Sequence, residues 1–127
     1  MIDVKNIAFV ILGSATGGAL RYMMSLYFIA KGFNKFPWAT LTVNLLGCLL
    51  IGSIYAIHEK STQGENIKLL LATGFCGGFT TFSAFAIENL QLIKLGAATT
   101  AITYITLSVV LGILLAFVGY FFIQITR

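Results

Sequence analysis

Four long runs of apolar residues, joined by short polar connectors, leave this chain little room for anything except membrane spans. A hydrocarbon core of about 30 Å takes ~20 mostly apolar residues per helix. Runs of that kind extend from Ile7 to Ala30, Pro37 to Ile57, Ile67 to Leu92 and Gly96 to Ile125. They use up nearly all of the 127 residues, so no soluble domain is expected. Only 9% of the residues are charged, against roughly a quarter in a soluble domain. The pattern predicts an all-α membrane protein, a single domain with four transmembrane helices.

The first run is longer than a signal-peptide core, holds Arg21 inside it and lacks a convincing small-residue cleavage site, so it is expected to stay in the mature protein. The net charge of +4 comes from basic residues scattered near helix ends. That is the pattern of snorkelling and topology rather than of a phosphate-binding patch, and no nucleic-acid partner is expected. Cys48 and Cys76 fall inside spans, where free cysteines pack as small apolar residues. His58, the single histidine, stands at the edge of the polar connector 58–66 and reads as solvated. No His, Cys or carboxylate pair has ligand or nucleophile–base spacing, and no phosphate-binding glycine loop is present. An enzyme or an ATP-coupled pump is therefore not expected.

With four spans, Lys5, Lys60, Lys68 and Arg127 share one side of the membrane and Lys31, Lys35 and Lys94 the other. Orientation follows the Lys/Arg bias of short loops, and four against three is almost no bias. A chain that inserts both ways can pair with an inverted copy of itself, giving the two-fold axis that larger transporters build from inverted repeats. The chain contains no internal repeat, so that symmetry needs a second subunit. The expectation is an antiparallel, dual-topology homodimer; the alternative is a weakly biased monomer oriented by other factors.

Along the first helix Gly13 and Gly17 form a GxxxG, which reads as plain helix packing. Arg21 lies about two-thirds along the span, where a cation costs about 2.5 to 3.5 kcal/mol unless it reaches water or a partner. It either snorkels to the nearer face or marks an electropositive vestibule that draws anions in. Pro37 suits the first turn of the second helix and Trp38 an interfacial anchor. Thr40, Asn44 and Gly47 follow at i, i+4 and i+7 and share a face. A mid-membrane Asn44 must find partners, either on a neighbouring helix or on something passing by. The last helix carries a row of hydroxyls that includes Thr99, Thr103, Tyr104, Thr106 and Ser108. They either bond back to the i−4 carbonyls or form a polar stripe along a groove.

The third run contains GFCGGFTTFSAF, residues 74–85. Each glycine weakens a helix by about 1 kcal/mol relative to alanine, and threonines divert backbone hydrogen bonds. A break is expected between Gly77 and Thr81. Freed backbone groups survive in hydrocarbon only where protein, water or an ion satisfies them, and unwound carbonyls at mid-membrane are a recurrent sodium site. If two inverted copies cross there, a buried monovalent cation could sit between them. Phe82 and Phe85, three residues apart, lie near one another on the resumed helix. Their positive ring edges suit a small anion, although ordinary aromatic packing would give the same spacing. Glu88 is the one acid in this stretch; it either reaches the interface or lines a pore mouth and tunes anion access.

The glycine-rich first helix ending in Arg21–Tyr22, the TLTVN segment with Asn44, and GFCGGFTTFSAF together resemble the Fluc (also called CrcB) family of bacterial fluoride channels. The resemblance covers the whole four-span layout. It implies an antiparallel homodimer in the bacterial cytoplasmic (inner) membrane, with two narrow fluoride pores and one central structural sodium at the subunit interface. It further implies that the backbone carbonyls of Gly77 and Thr80 hold the sodium and that Phe82 and Phe85 meet fluoride with their ring edges. By the same likeness Asn44 donates near the rings, Arg21 and Glu88 belong to the vestibule, and Ser83, Tyr104 and Ser108 belong to a polar track along the pore. The sequence departs from the family pattern at Ala84, where a second hydroxyl is common.

The implied mechanism is passive. Hydrofluoric acid crosses membranes as a neutral molecule and ionises inside. A negative-inside potential does about 2.3 kcal/mol of work per charge per 100 mV, enough to drain fluoride outward through an open pore. Two other readings compete: a small multidrug-type proton-coupled exporter, which needs a membrane-embedded acid, and a non-conducting assembly subunit whose glycines and threonines are helix glue.

Overall fold

The computed structural model describes residues 3–59 and 64–126, and the elements it assigns there are helical throughout. Lys60 and Arg127, counted above for orientation, lie outside the described residues. Helix α1 runs Val4–Ala30; the Asp3 carboxylate caps its start by accepting from the Lys5 N–H at 3.0 Å. The chain turns through Gly32 at a φ of 76°, which favours glycine, and α2 runs Trp38–Glu59 behind Pro37. The third apolar stretch is composite. It begins with the short α3 (Glu65–Lys68), widens into a π-helical segment Leu69–Cys76, and narrows again in α4 (Gly77–Phe79). After Thr80 and Thr81 the chain enters α5 (Phe82–Lys94), turns at Gly96 and finishes in α6 (Ala98–Thr126). Four stretches, Val4–Ala30, Trp38–Glu59, Glu65–Lys94 and Ala98–Thr126, are long and apolar enough to cross a membrane.

Lipid tails are as apolar as leucine, so helices in a bilayer associate through close packing rather than through hydrophobic burial. The fold follows that rule: large apolar side chains such as Ile102, Ile113 and Phe117 point outward, while the buried set is dominated by small residues. Two helix pairs result, α1 with the π-helical segment and α4, and α2 with α6. In the first pair glycines four residues apart on one side meet glycines four apart on the other. A Cβ added to Gly74 would lie 2.9 Å from the Gly13 Cα, and one on Gly78 would lie 2.8 Å from the Ser14 Cα. The Ser14 hydroxyl donates to the Gly74 carbonyl at 3.3 Å across the same seam. In the second pair Gly52 abuts the Ala116 carbonyl and Gly119 the Leu49 carbonyl. Ser53 donates to Leu49 and Gly119 carbonyls at 3.0 and 3.3 Å.

The π-helical winding of Leu69–Cys76 is absent from the sequence expectations. Such segments widen the turn by one residue, and this one carries Gly74 onto Gly13. On α6 the Thr103 and Thr106 hydroxyls donate back to Thr99 and Ile102 carbonyls at 2.9 and 2.8 Å, the local pattern rather than a groove lining.

Gly17→Ala tests the seam, because the added methyl would strike the Phe75 carbonyl and come within 2.8 Å of the Phe79 nitrogen, both backbone atoms that cannot rotate away. Overpacking of this kind costs about 1–3 kcal/mol, read as an earlier midpoint in a denaturing-detergent titration. Gly18→Ala, whose nearest contact is 4.0 Å away at the Gly78 carbonyl, should not lower the midpoint, because alanine there meets no clash and is the better helix former.

Candidate functional site: an intramembrane cavity at the Thr80–Thr81 step

Helical winding stops at Phe79. Thr80 (φ −84°, ψ 159°) and Thr81 (φ −152°, ψ 121°) are both extended. In a continuous helix the Thr81 N–H would close onto the Gly77 carbonyl. Here it donates to Asn44 Oδ1 at 2.8 Å, and Asn44 Nδ2 donates to the Thr81 carbonyl at 3.1 Å. One side-chain amide on α2 thus takes the place of the missing ladder partners. The Thr80 N–H and Oγ1 both donate to the Cys76 carbonyl, at 2.9 and 2.8 Å. Gly77 is therefore left with a carbonyl whose ladder donor has been diverted. Thr81 also starts α5, its Oγ1 accepting from the Ala84 N–H at 3.2 Å.

The face shared by Thr40, Asn44 and Gly47 is directed as a unit at this region. Thr40 donates to Glu88 Oε1 at 2.6 Å, Asn44 holds Thr81, and Gly47 leaves room for the Thr80 methyl group. Of the two alternatives open for Asn44, the interhelical partner is present, and it is the backbone of the step itself. The second Nδ2 hydrogen is not used in that pair.

Beside the step lies a cavity of about 460 Å³, whose walls include Asn44, Gly77, Thr80, Phe82, Phe85 and Ser108. Phe82 is 80% exposed, and its ring centroid lies 5.6 Å from that of Phe85, tilted by 41°. The Ser108 hydroxyl is buried and has no hydrogen-bond partner among the described residues. Both cysteines line this cavity as free thiols. No cluster of three or more metal-ligating side chains occurs among the described residues.

Other candidate residues lie apart from this cavity. Ser83 is exposed and its hydroxyl pairs with that of Thr81 at 3.2 Å. Tyr104 is fully buried; its ring meets Phe85 edge-on at 5.0 Å and Phe36 at 5.5 Å, and its hydroxyl donates to Glu88 Oε2 at 2.7 Å. Glu88 therefore accepts from Thr40 on one oxygen and from Tyr104 on the other, and it lines a second cavity of about 340 Å³. Arg21 is half-buried on α1, lines neither cavity, and its side chain has no ion-pair or hydrogen-bond partner among the described residues. Two participants were not anticipated from sequence. Thr40 was read only as sharing a face with Asn44, and Asn89 not at all. Asn89 is buried, donates to the Phe85 carbonyl at 2.8 Å and leaves its Oδ1 without a partner among the described residues.

Four stretches long and apolar enough to span a membrane, packed around a polar step and a ring-lined cavity, define the class: a small multi-pass membrane protein. Residues 8–120 match the family described as CrcB-like protein, Camphor Resistance (CrcB), and the chain belongs to that family. A relative from Phocaeicola vulgatus called fluoride-specific ion channel FluC is 45% identical over 116 residues, covering 91% of this chain and 96% of its own length. Relatives of the same name from Leptospira interrogans and Shewanella loihica are 44% and 39% identical, covering 94% and 91% of this chain and 95% and 94% of their own lengths.

Replacing Asn44 by Leu removes both partners of the Thr81 peptide groups at once. Each buried group left unpaired costs about 1–3 kcal/mol. Amide hydrogen exchange in detergent or lipid should accelerate at Thr81 and through the first turn of α5, while exchange in the α2–α6 seam near Gly52 stays slow. Unchanged protection at Thr81 would show that Asn44 does not hold the step.

Proposed function

We propose that this chain forms a passive fluoride-selective channel in the bacterial cytoplasmic membrane, built from two copies inserted in opposite orientations. The observation that carries the reading is the buried, unpartnered Ser108 hydroxyl beside Phe82 and Phe85 in the cavity at the step. A buried polar group without a partner is costly, and a permeating anion is a partner it could donate to. Relatives named fluoride-specific ion channels over more than nine-tenths of this chain support the same substrate. They are channels by name, not enzymes.

In this reading a fluoride ion enters the cavity and meets the positive edges of Phe82 and Phe85. The spare Nδ2 hydrogen of Asn44 and the Ser108 hydroxyl replace part of its hydration shell, without a fixed positive charge that would trap it. Each copy contributes to two separate pores. Where the copies cross, the carbonyls of Gly77 and Thr80 from both subunits would hold a sodium ion as a structural pin. Support comes from the diverted ladder donor at Gly77 and from the open space around it, since a Cβ added there would meet nothing within 4 Å. Arg21, without a partner in one copy, would then face a water-filled vestibule and attract anions. Ser83 and Tyr104 would flank the path, Ser83 through the Thr81 hydroxyl and Tyr104 through Glu88. A proton-coupled exporter finds less support, because both oxygens of its one candidate acid, Glu88, are already engaged by hydroxyl donors.

Purified protein in liposomes loaded with fluoride and made permeable to potassium should release the fluoride passively. Chloride-loaded liposomes should retain their contents under the same conditions. Equal release of the two ions would contradict the assigned selectivity, and release that requires a proton gradient would favour the exporter.

A further inference from the structure

We propose that the second cavity, beside Glu88, is the other mouth of the ion path, and that Lys35 within it offsets the Glu88 carboxylate and draws the anion in. This rests on the channel reading above. A buried side chain, Tyr104, touches the wall of each cavity. Phe85 lines the first, the Tyr104 ring packs edge-on against Phe85 at 5.0 Å, and the Tyr104 hydroxyl donates to Glu88, which lines the second. Thr40 continues the polar surface from Glu88 into that second cavity. In the proposed path, an ion that passes the rings moves along Tyr104 to the second cavity, next to a carboxylate.

A lone carboxylate at a mouth would repel the anion that must pass it. Lys35 is the one cation among the residues that line this cavity, with Asn34, Trp38 and Gln91 as further polar neighbours. Lys35 is exposed and forms no ion pair with Glu88, so its charge remains available to the cavity rather than being consumed in a contact. A charged group at an opening raises the local concentration and on-rate of the opposite ion, an effect that falls steeply with ionic strength. Here the two signs are arranged in series: the cation stands in the loop at the opening and the carboxylate further in, on α5. The predicted role of Lys35 is steering, not structure, and that difference is measurable through salt.

Initial fluoride efflux from neutral-lipid liposomes is compared at 0.1 M and 1 M impermeant salt, where the screening length is about 10 Å and about 3 Å. Lys35→Gln should slow efflux about threefold at the lower salt and should match the unsubstituted protein at the higher salt, as expected for lost electrostatic steering. Lys35→Arg should restore the rate at both. Lys94→Gln, an exposed lysine outside both cavities, should have no effect at either salt. A Lys35→Gln rate equal to the unsubstituted rate at 0.1 M, an equal slowing at both salts, or the same effect from Lys94→Gln would each overturn the proposal while leaving a fluoride-conducting protein intact. An unsubstituted protein that releases no fluoride would remove the channel reading and this inference with it.

Discussion

Within the third span, two consecutive extended residues strand a peptide N–H and a C=O in a region where hydrocarbon offers neither a partner. The hydrogen-bonded ring between the Asn44 amide and the Thr81 peptide answers both at once. An unsatisfied backbone group at this depth costs several kcal/mol, so the step is tenable only while α2 presents that side chain at that height. The direction of α5 and the liberation of the Gly77 carbonyl both follow from it. Alanine or leucine at position 44 would give α2 a better helix former and deprive the neighbouring span of its reason to bend.

That pairing in turn depends on two glycine-lined seams that hold the spans at backbone-contact distance. Gly13, Gly17, Gly74 and Gly78 bring α1 onto the composite third span, and Gly52 and Gly119 bring α2 onto α6. The step sits where the two pairs meet, and Gly47 provides the meeting point by accommodating Thr80 against α2. Because the seams use small residues, the bulky apolar side chains are left to face outward, as a lipid-embedded surface or a further subunit requires.

The four spans were legible in the sequence because hydropathy over twenty residues is a sum that no single side chain can overturn; the observed helices extend a few residues beyond the apolar runs, into polar ends such as Glu59 and Lys94. The face shared by Thr40, Asn44 and Gly47 was legible as a helical spacing, and all three residues do address the third span. Their partners were not legible, since spacing within one helix carries no information about the register of the next. Tyr104 and Glu88 show the same limit: Tyr104 was assigned to a polar track and Glu88 to a vestibule, yet the contacts of Glu88 with Tyr104 and with Thr40 arise only when α2, α5 and α6 come together. The π-helical winding of Leu69–Cys76 has no signature in residue type, because it reflects how much the chain must shift to seat Gly74 on Gly13.

The extended step sets Phe82 and Phe85 in the wall of the cavity that the Ser108 hydroxyl also lines, and it leaves the Gly77 carbonyl without its ladder donor. The most direct test is a high-resolution structure of the protein assembled in lipid in sodium fluoride. The account predicts two inverted copies crossing at residues 77–81, with the Asn44–Thr81 pair intact and a monovalent cation between the Gly77 and Thr80 carbonyls of both. A third span wound continuously through Thr80 and Thr81, or two copies lying parallel, would contradict it.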